Sequence, residues 1–299
     1  TGAPLRDFVP PQGDRYKDFI ALGRGQTLVI FAAFPAWLIL VRWLEHAAKR
    51  IGERPSKILR FTAPLILSGA VIWVALELGI AANAVAMGFG CIAAFAALRA
   101  PRTTLLSLLW IVLATLLLAP LAAYAPIETW IAKYENLIPI SWAQRLHTWR
   151  ATAGYALDCL PFGCGADFAR TVQAQGAVVT LPQTPVALPI MPTHPHNIFL
   201  QVWMELGAAG AMLFGLAIFG AGLALVRASL PAPVAAGAAG AIAAIFVSAM
   251  VEASLWQVWR LSAMGLASLG VALSYAFNLK EVEWVHRGVG LRSGAQAAG

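Results

Sequence analysis

The stretch LGAAGAMLFGLAIFGAGLALVR, residues 206–227, meets no charge before its last residue, Arg227. As a helix rising 1.5 Å per residue it is long enough to cross a hydrocarbon core of roughly 30 Å. Six further stretches read the same way, near 26–44, 61–79, 81–99, 104–123, 233–252 and 260–278. The divide between the second and third spans, at Glu77-Leu78-Gly79, is short, so that pair also admits one span followed by a re-entrant piece. The chain is 60% hydrophobic and 12% charged, and its mean hydropathy is positive. A soluble domain of 299 residues has no need of such a composition. The expected fold is an all-α polytopic membrane protein with about seven transmembrane helices and one large helical loop.

Charge orients the spans. Lys49, Arg50, Arg54, Lys57 and Arg60 fill the loop 45–60, Arg99 and Arg102 flank a short turn, Arg227 borders 228–232, and Lys280, Arg287 and Arg292 lie in the tail. Counting spans puts all of them on one face, which the positive-inside rule makes cytoplasmic. The expected organisation is an external segment 1–25, four spans over 26–123 with the basic loop 45–60 inside, an external loop 124–195, three spans over 196–278, and an internal tail 279–299. The net charge of +7 is then mostly topology. No basic patch interleaved with stacking aromatics marks a nucleic-acid surface. The chain opens at Thr1 on the external side without a delivering span, and reads as the C-terminal part of a longer protein. The external loop carries expected helices near 127–137 and 141–158, ended by Pro161 and the Gly163/Gly165 pair, and then a β-prone, proline-rich strip from Val178. A loop of that length between spans is usually functional.

Several groups there could carry chemistry. Thr193-His194-Pro195-His196 reads as a helix start, with Thr193 or His194 as cap, which places His196 in the first turn. The dipole there disfavours imidazolium, so the ring should stay neutral and able to take a proton. On one continuous helix, Gly207 falls about 20° from His196 and Gly210 about 40° to the other side, giving a small-residue stripe for a neighbouring helix. The alternative is a histidine merely satisfied at a helix end. Arg24, Arg145 and Arg150 stand on the external side, against the positive-inside rule, and a guanidinium suits phosphate. Arg24, which opens the first span, could instead snorkel to headgroups. Arg145 could be sandwiched between Trp142 and Trp149. Cys159 and Cys164 could form a disulfide, stay free, or join His194 and His196 around zinc, although their spacing fits no standard zinc motif. Glu77 and Glu252 are acids at or within apolar runs, with structural and functional readings both open. Glu205 lies about half a turn from His196 and cannot assist that ring directly.

His196-Asn197, nine residues, Gly207, two residues, Gly210: this pattern resembles the signature of the O-antigen ligase family, which includes related O-linked oligosaccharyltransferases. Three further features resemble it. Arg145-Leu146-His147-Thr148-Trp149 followed by Pro161-Phe162-Gly163-Cys164-Gly165 is similar to the family's external-loop pattern. Arg24-Gly25 leads a span containing Pro35, and three spans follow the loop. The family has more spans, and the first several are absent from this chain. The resemblance implies packed transmembrane helices capped by a helical periplasmic loop. It implies transfer of a glycan from undecaprenyl diphosphate to a lipid A-core sugar hydroxyl, at the periplasmic face of the bacterial inner membrane, with membrane lipid around it and no metal, nucleotide or other cofactor. Arg24 and Arg145 would neutralise the diphosphate as charge grows on it. His196 would bind or deprotonate the hydroxyl, with inversion at the anomeric centre. Asn197 would orient the ring or cap the helix, and His194 and Arg150 could share the work.

Three rival readings remain at this level. An O-antigen polymerase uses the same donor on a growing glycan, and a protein O-oligosaccharyltransferase uses a Ser or Thr acceptor. A transporter or flippase expects charges deep among the helices, whereas here the distinctive polar groups gather at one surface.

Overall fold

The computed structural model describes residues 15–50 and 57–276. Ten α-helices order themselves along these residues. They are α1 (Arg15–Arg50), α2 (Lys57–Glu77), α3 (Ala81–Arg99), α4 (Pro101–Leu118), α5 (Ile127–Tyr134), α6 (Ile140–Asp158), α7 (Phe168–Ala174), α8 (Ile198–Arg227), α9 (Ala232–Val251) and α10 (258–276). A 3₁₀ stretch, Ala119–Tyr124, continues α4. Two short strands, β1 (Val178–Val179) and β2 (Leu188–Pro189), pair antiparallel between α7 and α8. Five helical segments are long and apolar enough to cross a membrane: Ala21–Glu45, Ala81–Arg99, Pro101–Tyr124, Ile198–Arg227 and Ala232–Val251. A shorter apolar helix, Thr62–Glu77, and α10 occupy the remaining two expected spans. The chain is an all-α polytopic membrane protein. The second and third spans are separate helices, because Gly79, at φ 69°, turns the chain between them. The basic residues of 51–56 and of the tail lie outside the described residues.

Two compact units share the chain. The first takes residues 1–104, 229–244 and 261–299. Phe34 of α1 is its fully buried anchor, and its ring fills the space where a Cβ on Gly90 or Gly240 would stand. Bare glycine backbone on α3 and α9 therefore closes on one aromatic, the packing solution that an apolar solvent favours. A buried polar knot lies nearby. The Asn83 side chain donates to Gln26 Oε1 at 3.2 Å, and Gln26 donates to Val71 O at 3.3 Å, so neither amide is left unmet.

The second unit takes residues 105–228 and 245–260. Its loop portion is more structured than the expected pair of helices. Both α5 and α6 form, and α7 is a third, preceded by Asp167 in the left-handed region. The β-prone, proline-rich strip contributes only the two two-residue strands, β1 and β2. Ala156, Ala169, Val172, Met191 and Met204 make one buried cluster that ties α6, α7 and α8 together. Ile131, Ala143 and Leu181 make another beneath α5.

Candidate functional site

Helix α6 is the platform. On successive turns its polar side chains hold the strip that leads to α8. Gln144 donates to Pro189 O at 2.9 Å, Thr148 donates to Ile190 O at 2.8 Å, and Trp149 Nε1 donates to Pro195 O at 3.1 Å. These bonds satisfy carbonyls of an otherwise irregular segment and set the position of His194-Pro195-His196. Arg145 stands on the same helix with its guanidinium 5.3 Å from the Trp142 ring centroid. Of the alternative two-sided sandwich, the structure shows the stack on Trp142, while Trp149 donates to Pro195 O. Among the described residues Arg145 forms no hydrogen bond and no ion pair; Glu252 acts on it at longer range. Burial holds its pKa below the ordinary arginine value.

The expected start of α8 is corrected. Asn197 is the N-cap: it is extended, and its Oδ1 accepts from Leu200 N at 3.1 Å. Asn is a far stronger cap than His, so the helix begins at Ile198 and leaves His196 before the cap, at φ 57°. His196 is therefore outside the helical turn whose dipole was expected to keep it neutral. Its pKa is nonetheless pushed down to about 3, first by burial and then by the neighbouring His194 and Arg145, while a backbone bond with Glu252 opposes this. Burial likewise pushes His194 down to about 4, with smaller contributions from Arg260, Arg145 and Arg170. The two rings meet edge to face with centroids 4.2 Å apart, and the Nδ1 atom of each is buried without a hydrogen-bond partner.

The opposite wall is the turn after α9. Gln257 Nε2 lies 3.0 Å from His194 Nε2. Arg260, almost wholly buried, donates from Nε to Gln257 Oε1 at 3.0 Å, bonds Ser248 Oγ through Nη1, and stands 3.6 Å from the Glu252 carboxylate. Two side chains of α8 pin this turn. Gln201 accepts from Leu255 N at 2.8 Å, and Glu205 accepts from Trp256 Nε1 at 2.6 Å. Glu205 also accepts from Gln201 at 2.8 Å and from Asp167 N at 3.0 Å, so this buried carboxylate is met by three donors. It supports the scaffold and makes no bond to His196.

The expected glycine stripe is also corrected. Gly207 breaks α8, with φ 63° and ψ −163°, a conformation essentially reserved for glycine. His196, Gly207 and Gly210 therefore do not share a seam. The break instead receives the turn 161–165. Cys164 N donates to Met204 O at 2.7 Å, Gly165 N donates to Glu205 O at 3.1 Å, and Ala209 N donates to Pro161 O at 3.2 Å. These are the groups that the interrupted helix leaves unpaired. Gly163, at φ 82°, and Gly207 lie back to back, and a Cβ on either would enter the other's backbone. Cys159 and Cys164 form a disulfide that closes this turn, which takes both thiols out of the zinc alternative.

Of the remaining candidates, Glu252 belongs to this cluster through its ion pair with Arg260. Arg150 is ion-paired with Glu128 of α5, five residues and about 140° round α6 from Arg145. Arg24 belongs to the first unit. It does not open its helix: α1 already runs from Arg15, so Arg24 is an exposed residue in its third turn. Glu77 ends α2, and Glu252 follows the last residue of α9. Two apolar cavities, one of about 640 Å³ between α1 and α2 and one of about 340 Å³ between α4 and α8, are lined by none of Arg145, His194 or His196. Gln257 and Arg260 were missed in the sequence. Arg260 sits on the same expected outer side as Arg145, so the wrong-sided-cation argument would have found it; Gln257 carries no such signal.

A family model described as O-antigen ligase matches residues 63–215. No curated protein and no solved structure matches the chain.

Proposed function

The chain belongs to the O-antigen ligase family, membrane glycosyltransferases of O-antigen processing, and from that premise we propose that it moves a glycan from undecaprenyl diphosphate to a sugar hydroxyl of lipid A-core. The observation that carries this reading is one neighbourhood holding a neutral, desolvated imidazole, His196, and a guanidinium with no ion-pair partner among the described residues, Arg145. The sugar arrives activated. The acceptor oxygen attacks the anomeric carbon as its proton passes to the His196 ring. The bond from that carbon to the diphosphate oxygen breaks, and its electron pair stays on the diphosphate, where Arg145 offsets the growing charge. Attack opposite the leaving group inverts the anomeric centre.

Arg24 is proposed as a further diphosphate contact. Its neighbours Gly25 and Gln26 line the 640 Å³ apolar cavity, whose chemistry suits a prenyl chain. The working face is proposed to be periplasmic, at the bacterial inner membrane. The Cys159–Cys164 disulfide favours an oxidising compartment for the loop, and the basic segments favour the cytoplasm for the other face. Asn197 acts as the cap that delivers His196, and Arg150 is placed in a supporting ion pair.

The test is transfer by the full-length protein in liposomes, with lipid-linked glycan as donor and lipid A-core, free glycan or a Ser/Thr peptide as acceptor. Transfer to lipid A-core, lost by at least about 100-fold in His196→Ala at equal expression, is the expected result. Wild-type rates in that variant overturn the role of His196. Transfer only to glycan or to peptide converts the reading to a polymerase or a protein O-oligosaccharyltransferase.

A further inference from the structure

The orientation of the Gln257 amide can be read from its partners. Its Oε1 is 3.0 Å from Arg260 Nε and 3.3 Å from the backbone N of Ser254, both of which can only donate. Turning the amide over would set its NH₂ against two N–H groups. The oxygen therefore faces Arg260 and Ser254, and the NH₂ faces His194 Nε2 at 3.0 Å. An N–H donor on that atom requires a lone pair there, so the hydrogen of a neutral His194 resides on Nδ1. Protonating His194 would place N–H against N–H and break this contact. His194 in turn stands edge to face with His196, at 4.2 Å between centroids.

From this geometry we propose that Gln257, held by Arg260 and Ser254, is a positioning residue that locks His194 in its uncharged Nδ1–H form and so keeps a positive charge away from the proton-accepting ring of His196. A cation on His194 would sit directly beside that ring and lower its basicity. The other charged groups that act on the pair are Arg145 from α6, Arg170 from α7, and Arg260, with Glu252 close by at the end of α9. Most of these are cationic and add to the same bias, which fits the depressed His194 pKa. The lock differs from them in specifying which nitrogen carries the hydrogen. The statement about His196 basicity rests on the glycosyl-transfer reading; the His194 tautomer does not.

The experiment uses the full-length protein in nanodiscs with ¹⁵N-labelled histidine, the His194 signal being assigned by its loss in His194→Asn. In the wild type the Nδ1–H form of His194 should persist from about pH 8 to about pH 5. Gln257→Glu presents a carboxylate, which only accepts, to the same nitrogen. His194 should then carry its hydrogen on Nε2 or become cationic, and transfer should fall up to about tenfold per pH unit on the acid side, where the wild type stays level. Gln257→Met, which keeps the volume and removes all three amide bonds, should give a mixture of tautomers. A wild-type His194 protonated on Nε2 overturns the proposal, as does a Gln257→Glu variant with unchanged tautomer and unchanged pH profile. If no transfer occurs in any protein, the nitrogen spectra still decide the tautomer, and the failure then belongs to the glycosyl-transfer reading.

Discussion

His196 shows how one residue can reach an expected state by an unexpected route. A neutral ring follows from burial rather than from a helix dipole, since the ring precedes the cap of α8. The consequence is a pH dependence of known sign. The folded pKa, about 3, lies below the ordinary value of 6.5, so the folded state binds fewer protons than the unfolded one in that window. Stability contributed by keeping the ring neutral is intact above about pH 6.5 and is lost as pH falls toward 3. The acid limb of kcat/KM should accordingly not rise to the usual histidine range; a limb centred near 6.5 would show a solvated ring. Arg145 lends itself to a sharper substitution. Arg145→Lys keeps a charge but loses the planar fork and the stack on Trp142. If Arg145 acts on the leaving group, the loss, about 10-fold or more, should appear in kcat with KM little changed. A pure KM effect would assign it to ground-state binding.

The element that shapes the second unit is α8, and its use depends on being interrupted. A continuous helix would pair Met204 O with Ala208 N and Glu205 O with Ala209 N. In the structure those carbonyls and Ala209 N are taken by the turn 161–165, whose own disulfide holds it closed. Gly207→Ala should therefore cost at least about 2 kcal/mol, from a φ that L-residues avoid and from collision with Pro161 and Gly163. Thermal unfolding in detergent would read this as a lowered Tm. Gly163→Ala removes the same contact from the other side, so the double variant should lose less than the two single losses combined. Additive losses would mean that the two glycines serve separate purposes.

At the scale of the whole molecule the first question is which face is which. Gln173→Cys in the loop and Ala100→Cys in the short turn after α3, both exposed positions, are suitable reporters once Cys91 is replaced. A membrane-impermeant thiol reagent should label the first in spheroplasts and the second only after lysis; the reverse pattern inverts the proposed orientation. The membrane class needed no structure, because span length and hydropathy are properties of contiguous residues and the bilayer forces their backbones to be helical. Helix periodicity and stop signals are also local, so α6, in the loop, matched its expected bounds nearly to the residue. His196, Arg145 and the Pro161–Gly165 turn were likewise visible as residue types at fixed spacing. Their purposes were not. The break at Gly207 exists because a turn more than forty positions earlier supplies the missing hydrogen bonds, and a helical wheel assumes that no such partner exists. Gln257 and Arg260 join His194 only because Gln201 and Glu205 fix the turn between α9 and α10. Local chemistry along the chain thus determined that this protein spans a membrane and where its reactive groups lie in order. Only the tertiary contacts decided which of those groups meet, since a hydrogen bond between distant segments leaves no periodic trace in either of them.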